Sequence, residues 1–330
     1  MKLASIEIVL AIEPIANADK IVLATIQGWQ AVIKKDEFNV GDEVVFIPVD
    51  TILQRAEWNE FLFKDKNAKE IRLKTVKLRG VYSQGLILPI EIAGYFAVDN
   101  RTLAEMLGVT KYEKPLNPQL AGQARGGLPS WLRKSDEENL QSNPLVITEL
   151  QALPRFLATM KMDGSSFKCY LKDGEFGVCS RSLDLKETDG NTFWQVARQN
   201  DLEVKLRLVG RNLVICGEVC GPGIQKNPIG LTKVALYVYD IWDIGKQEYL
   251  PFDEWRRLCN ELSLNTVPVI QYSSKFWFKD LKETLDYVNG AKYADGIPAE
   301  GVVFRCPNNS YSKVLRSRLS VKVINQNYKD

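Results

Sequence analysis

Histidine is absent from the 330 residues. That removes every His-dependent nucleophile triad, zinc sites with His ligands and imidazole as a general base, so the chemistry must come from Lys, Asp, Glu, Arg, Cys or the backbone. Long apolar runs are missing too. No stretch approaches the roughly 18 residues a membrane helix needs. The opening MKLASIEIVLAIEP is interrupted by Glu7 and Glu13, so it does not read as a secretory signal. A cytoplasmic protein with no membrane partner is expected. An excess of charge of either sign is lacking: 43 basic and 41 acidic side chains leave a net +2, which by itself says nothing about nucleic acid. Glycine (22) and proline (14) are too few for low-complexity disorder. Cysteine is limited to Cys169, Cys179, Cys216, Cys220, Cys259 and Cys306. The one close pair, Cys216 and Cys220, would lie about 13 Å apart on one face of a strand, too far to bridge or share a zinc ion. All six read as buried thiols in a reducing compartment.

What is present is a globular composition, 45% apolar and 25% charged, at a length suited to two domains. Residues 1–100 look all-β: short, β-branched runs at 5–10, 21–26, 29–33, 43–49 and 86–88 are separated by turn signals, as in a small barrel or sandwich. Residues 71–78 alternate so that one strand face would carry Arg72, Lys74 and Lys77, a candidate phosphate tracker. Basic residues concentrate at 64–79 (Lys64, Lys66, Lys69, Arg72, Lys74, Lys77, Arg79) and at 313–322 (Lys313, Arg316, Arg318, Lys322). Residues 101–142, with Asn117, Pro118, Gly122, Gly126, Gly127, Pro129 and a charged run at 133–138, read as a connector with one short helix near 103–107. From 143 to 330 the pattern is α+β. Strands are expected at 156–162, 166–171, 176–180, 213–219, 234–242, 301–305 and 319–324, with helices at 192–199, 254–262 and 279–288. Lys172-Asp173-Gly174-Glu175 is a hairpin turn.

The sharpest chemical feature is Lys161-Met162-Asp163-Gly164, where an apolar strand meets a turn. In a strand Lys161 and Asp163 share a face. Desolvation between Met160 and Met162 would lower the lysine's pKa, and a neutral amine is a nucleophile. A surface Lys–Asp pair before an ordinary turn has the same sequence. The segment has company in a fixed order. Glu218 sits in the apolar strand Val214–Val219, where a carboxylate is costly unless paired or bound to metal. Tyr239-Asp240 ends another apolar run, Glu300 opens a third, and Lys322 interrupts Leu319-Ser320-Val321-Lys322-Val323-Ile324.

This order resembles the covalent nucleotidyltransferases, the superfamily of polynucleotide ligases and mRNA capping enzymes, whose nucleophile motif is Lys-x-Asp-Gly. The later motifs match around Glu218, Tyr239, Glu300 and Lys322, over about residues 155–325. DNA ligases usually carry Arg two residues after the motif glycine, where this chain has Ser166, and they and the capping enzymes place the small barrel after the catalytic domain. A barrel placed first resembles the RNA ligases of the Naegleria type. Residues 14–20, Gly28-Trp29, Lys77-Leu78-Arg79-Gly80, Ser83-Gln84-Gly85-Leu86 and 134–141 are similar to that family's sequence. The chain departs from it at Asn139 (often Arg), Met160 (often Glu) and Ser320 (often Lys).

The resemblance implies an α+β protein: an OB-type β-barrel at 1–100, a connector at 101–142, and at 143–330 an adenylyltransferase domain of antiparallel sheets flanked by helices. It implies an ATP-dependent RNA ligase, acting in RNA repair, that joins 3′-hydroxyl and 5′-phosphate RNA ends through AMP carried covalently on Lys161, then on the RNA. A DNA ligase or GTP-dependent capping enzyme is the alternative. Lys161, Asp163, Glu218, Glu300 and Lys322 would be catalytic. The nucleotide would meet Met160, Lys161, Arg181, Glu218, Tyr239 (stacked on adenine), Glu300 and Lys322 (on the α-phosphate). Mg²⁺ or Mn²⁺ would be held by Asp163, Glu218 and Glu300 through water. Lys313, Arg316 or Lys292 would reach the outer phosphates or a second metal. RNA would be gripped by Lys74, Lys77, Arg79, Lys313 and Arg316, with Trp29 either stacking on it or lying in the core. A monomer is expected.

Overall fold

The computed structural model describes residues 2–94, 100–112, 122–132, 137–273 and 275–328. The expectations placed on 113–121 and 133–136, including Asn117, Pro118 and part of the charged run, lie outside the described residues. By contact the chain divides into two units, Met1–Pro115 with Gln141–Pro144, and Leu116–Leu140 with Leu145–Asp330.

The first unit carries β1 (Ser5–Pro14), β2 (Ile21–Ile26), β3 (Trp29–Lys34), β4 (Glu43–Pro48), β5 (Thr51–Gln54), β6 (Glu70–Arg72), β7 (Val76–Leu78), β8 (Val81–Ser83), β9 (Gly85–Pro89), α1 (Asn100–Met106) and β10 (Val109–Lys111). Five strands form a sheet in the order β3-β2-β1-β4-β9. Its ends approach one another: Gln84 N–H donates to the Gln30 carbonyl at 2.7 Å, and Val32 N–H to Ser83 Oγ at 3.0 Å. The sheet is thus a nearly closed barrel, which removes most of the exposed strand edge. Val44 and Phe46 of β4 point into the barrel, while Val45 and Ile47 point outward under α1 and β10. Burial on both faces explains the unbroken apolar run at 44–47. The basic segment 71–78 is not one strand. It breaks after Arg72 because β6 pairs with β5, whereas β7 forms its own hairpin with β8. The alternation read from the sequence therefore does not define one basic face.

The second unit carries β11 (Ala124–Gly127), β12 (Glu138–Asn139), α2 (Val146–Gln151), β13 (Phe156–Lys161), β14 (Ser165–Lys172), β15 (Glu175–Cys179), β16 (Leu183–Leu185), α3 (Thr192–Gln199), α4 (Leu202–Val209), β17 (Leu213–Cys220), β18 (Ala235–Asp243), β19 (Glu248–Tyr249), α5 (Phe252–Glu261), β20 (Val269–Ser273), α6 (Leu281–Asn289), β21 (Lys292–Ala294), β22 (Ile297–Pro298), β23 (Gly301–Arg305), β24 (Tyr311–Ser312), β25 (Ser317–Arg318) and β26 (Ser320–Ile324). Seven strands run β11-β16-β15-β14-β17-β18-β19 and five run β12-β26-β23-β13-β20. Every pair in the two sheets is antiparallel except β12 with β26. The β14–β15 turn is the expected hairpin, with Asp173 and Gly174 at φ of 51° and 84°, the left-handed pair a tight hairpin needs. Period-two alternation sends Phe167, Cys169 and Leu171 into a core shared with Phe193, Trp194, Ala197, Leu202 and Leu206 of α3 and α4. Asn191 starts α3 by accepting the backbone N–H groups of Phe193 and Trp194. The five-stranded sheet buries Phe156, Ala158, Val302, Phe304, Val321 and Val323 in a second core with Val146, Leu150 and Val288. All six cysteines are buried and free.

Candidate active site

The chain passes from one sheet of the second unit to the other at the Lys161 motif. β13 in the five-stranded sheet ends at Lys161, and β14 in the seven-stranded sheet begins at Ser165. Asp163 therefore lies in the crossover and not in the strand. Gly164 is required there by close approach: a Cβ would stand 2.4 Å from the Val219 carbonyl oxygen and 2.9 Å from Glu218 Cγ. The crossover is thereby seated against the strand that bears Glu218. Ser166 pairs with Glu218 in the β14–β17 ladder. In the other sheet Lys161 pairs with Gly301, directly after Glu300. Thr159, Val303 and Lys322 form a row across β13, β23 and β26. Since Thr159 is two residues before Lys161, Lys322 and Lys161 share a sheet face.

Lys161 Nζ is 2.6 Å from Glu300 Oε1, and the two side chains are 26% and 17% exposed. Burial favours the neutral amine, but the carboxylates of Glu300, Glu218 and Asp163 outweigh it and hold the ammonium above its ordinary pKa. The expected lowering by desolvation is corrected accordingly: the acids the motifs bring together act more strongly on the amine than its apolar neighbours do. Asp163 is 5% exposed, and its Oδ2 accepts the Tyr328 hydroxyl at 2.5 Å. The Tyr293 hydroxyl donates to the Lys161 carbonyl at 2.6 Å. It also accepts the N–H groups of Asp163 at 2.8 Å and Glu300 at 3.2 Å. Gln225 Nε2 donates to the Gly164 carbonyl at 3.0 Å. Sequence reasoning missed Tyr293, Tyr328 and Gln225. Their bonds to Asp163 and Gly164 of the motif span 130, 165 and 61 residues, so no local pattern marks them.

Tyr239 sits in a β-bulge. Cys216 pairs with Asp240 and Gly217 with Val238, so Tyr239 is the extra residue of β18. Bulges re-aim side chains. The Tyr239 carbonyl accepts Arg305 Nη1 at 3.1 Å. Arg305 also reaches Asp240 Oδ2 at 3.1 Å, Arg318 reaches the same oxygen at 2.7 Å, and Arg318 contacts Glu137 Oε1 at 3.1 Å. Burial pushes the Glu137 carboxyl up, but the two guanidiniums outweigh it and hold it below the usual carboxylate range. This buried network fixes the bulge between the two sheets.

The remaining expected residues fall in several places. Met160 is half-buried on β13, and Arg181 follows β15 in a bend. Lys322 is half-buried and pairs with Asn139 of β12. Lys313 and Arg316 are exposed on the β24–β25 turn, and Lys292 is exposed on β21. In the first unit Lys74, Lys77 and Arg79 are exposed, Lys77 lying 5.1 Å from the Tyr82 ring centroid. Trp29 is 3% exposed inside the barrel, which removes it from the stacking candidates.

An acid-ringed lysine at a sheet crossover, in a chain whose earlier residues form a small β-barrel, defines a lysine nucleotidyltransferase with an N-terminal OB-fold. The RNA ligase family model matches residues 154–324, and an OB-fold domain model matches 3–90. The chain belongs to the RNA ligase family. It is similar along its whole length to Naegleria gruberi RNA ligase. The structure of that ligase as a lysine-to-alanine variant with ATP and Mn matches at 32% identity and a TM-score of 0.87, over 98% of this chain and 97% of the ligase. The same ligase matches with pyrophosphate at a TM-score of 0.86, and as a glutamate-to-alanine variant with AMP and Mn at 0.87. In both cases the identity is again 32%, with 98% and 97% of the two chains covered. No curated protein matches the sequence.

Proposed function

We propose that the protein is an ATP-dependent RNA ligase that joins a 3′-hydroxyl end to a 5′-phosphate end, acting as a monomer in RNA repair in the cytoplasm. The observation that carries this reading is Lys161 Nζ held 2.6 Å from Glu300 beside Glu218 and Asp163, in a chain similar over 98% of its length to a ligase seen with ATP, AMP and pyrophosphate.

In the first step Lys161 Nζ attacks the α-phosphorus of ATP. The N–P bond forms, the bond to the β-phosphate oxygen breaks, and pyrophosphate leaves. An RNA 5′-phosphate oxygen then attacks the lysyl-AMP, breaking the N–P bond and returning the amine. The RNA 3′-hydroxyl finally attacks the 5′-phosphorus and expels AMP. Lys322, on the Lys161 face of its sheet, contacts the α-phosphate. Tyr239, set off by the bulge, stacks on adenine, and Arg181 contacts ribose or phosphate. Met160 borders the nucleotide. Lys313, Arg316 or Lys292 reaches the outer phosphates.

Asp163, Glu218 and Glu300 offer only hard oxygen donors, which suit Mg²⁺ or Mn²⁺. Among the described residues no cluster of three or more metal-ligating side chains forms. Because Mg²⁺ gives up its water reluctantly, we assign their contact with the ion to its water shell. A bound cation would supply positive charge that disfavours a neighbouring ammonium and screens the α-phosphate. Domains at 1–100 and 143–330 with a connector at 101–142 remain our functional division, RNA being gripped by Lys74, Lys77 and Arg79 in the first and by Lys313 and Arg316 in the second. Buried, free cysteines suit a reducing compartment. Incubation with nicked RNA or nicked DNA, each with ATP or GTP, tests the substrate: sealing of RNA with ATP is expected, and sealing confined to DNA or to GTP contradicts the reading.

A further inference from the structure

Tyr293 lies on β21, in the short hairpin just before Glu300. A phenol hydroxyl has one donor and two acceptor sites. The three bonds of Tyr293, to the Lys161 carbonyl, from Asp163 N–H and from Glu300 N–H, use all of them. One oxygen therefore joins the backbone of the nucleophile, the backbone of the crossover acid and the backbone of the acid paired with the amine. The last segment of the chain completes the arrangement. Asn325 N–H donates to the Glu300 carbonyl at 2.9 Å, and the Tyr328 hydroxyl holds the Asp163 carboxylate. Glu300 is thus fixed through both of its backbone groups. Asp163 is fixed through its N–H and its side chain.

We propose that Tyr293 is a positioning residue for lysine adenylylation: its hydroxyl sets the Lys161 amine relative to the carboxylates of Asp163 and Glu300, and Tyr328 holds the Asp163 carboxylate in that arrangement. The inference rests on the reading of Lys161 as the nucleophile. Tyr293 acts through the backbone, so loss of its hydroxyl affects the rate of the reaction more than the binding of ATP. Its side chain packs against the buried cluster of Met162, Cys220 and Val267, and Tyr293→Phe keeps that apolar packing.

The test uses full-length wild type, Tyr293→Phe and Tyr328→Phe with labelled ATP and Mg²⁺ or Mn²⁺. Covalent AMP formation is followed in a single turnover across ATP concentrations, beside a thermal melt. Tyr293→Phe is expected to lower the maximal rate about 10- to 100-fold, the scale at which misplacing a reacting group acts, with the half-saturating ATP concentration changed less than about threefold. Tyr328→Phe is expected to lower the maximal rate by less, about 3- to 10-fold. A wild-type maximal rate in Tyr293→Phe, which a packing role predicts, overturns the proposal, as does a loss confined to ATP affinity. If Tyr293→Phe does not fold, a wild-type rate in Tyr328→Phe overturns it. Absence of any adduct on the wild type would instead overturn the ligase reading itself, and this inference with it.

Discussion

In the folded chain the Lys161 amine meets Glu300, Glu218 and Asp163, and their charge keeps its proton on. Attack on phosphorus needs the neutral amine, whose share below the pKa grows tenfold with each pH unit. Folding therefore opposes the first step until positive charge enters the pocket. The sign gives a direct expectation: at saturating ATP and metal the rate of AMP transfer to the protein rises as pH is raised from about 6 to 8. A rate that falls over that range, measured by label transfer, contradicts the assignment of Lys161. At this scale the sequence was legible where a residue's type restricts its chemistry. Glu218, Glu300 and Lys322 stood out because charge is rare in apolar strands. The direction of the Lys161 shift was not legible, because it depends on the summed distances to three acids. Trp29 was ambiguous for the reverse reason: an indole is equally at home in a core and on a base.

At the level of the element, the single glycine of the motif decides how the crossover seats. Gly164→Ala would drive a methyl against the Val219 carbonyl. It should destabilise the protein by about 1–3 kcal/mol, the range for overpacking, and it should lower AMP transfer because the turn also carries Asp163. A thermal melt and an adduct assay report the two effects separately. Strands such as β2, β13 and β23 and helix α3 were legible because apolar periodicity and caps are local. Residues 71–78 misled because alternation marks a strand but not its break, which β5 imposes by pairing with Glu70–Arg72 alone. β20 and α4 were missed, α4 because it leaves Val204 and Leu208 exposed, which blurs its periodicity. The bulge at Tyr239 is a two-strand property, set by pairing with Cys216 and Gly217, and one strand's sequence does not contain it.

On the scale of the whole molecule, the second unit holds its two sheets together through buried charge as well as apolar contact. Asp240 is 2% exposed and takes both Arg305 and Arg318. Asp240→Ala leaves two guanidiniums without that partner and is expected to cost about 3–5 kcal/mol in urea denaturation, as breaking a buried ion pair does. A loss below about 1 kcal/mol would show the network to be no stronger than a surface pair. In the first unit, Lys77→Ala and Arg79→Ala should each weaken RNA binding and reduce the magnitude of the salt slope by about 1, as loss of one phosphate contact does. An unchanged slope removes that residue from the interface. The central claim remains that one amine forms a bond to phosphorus. Mass spectrometry of the protein after incubation with ATP and Mg²⁺ or Mn²⁺ tests it most directly. One added AMP mapped to Lys161 and absent from Lys161→Met is the predicted result. No adduct, or the same adduct on Lys161→Met, contradicts the account.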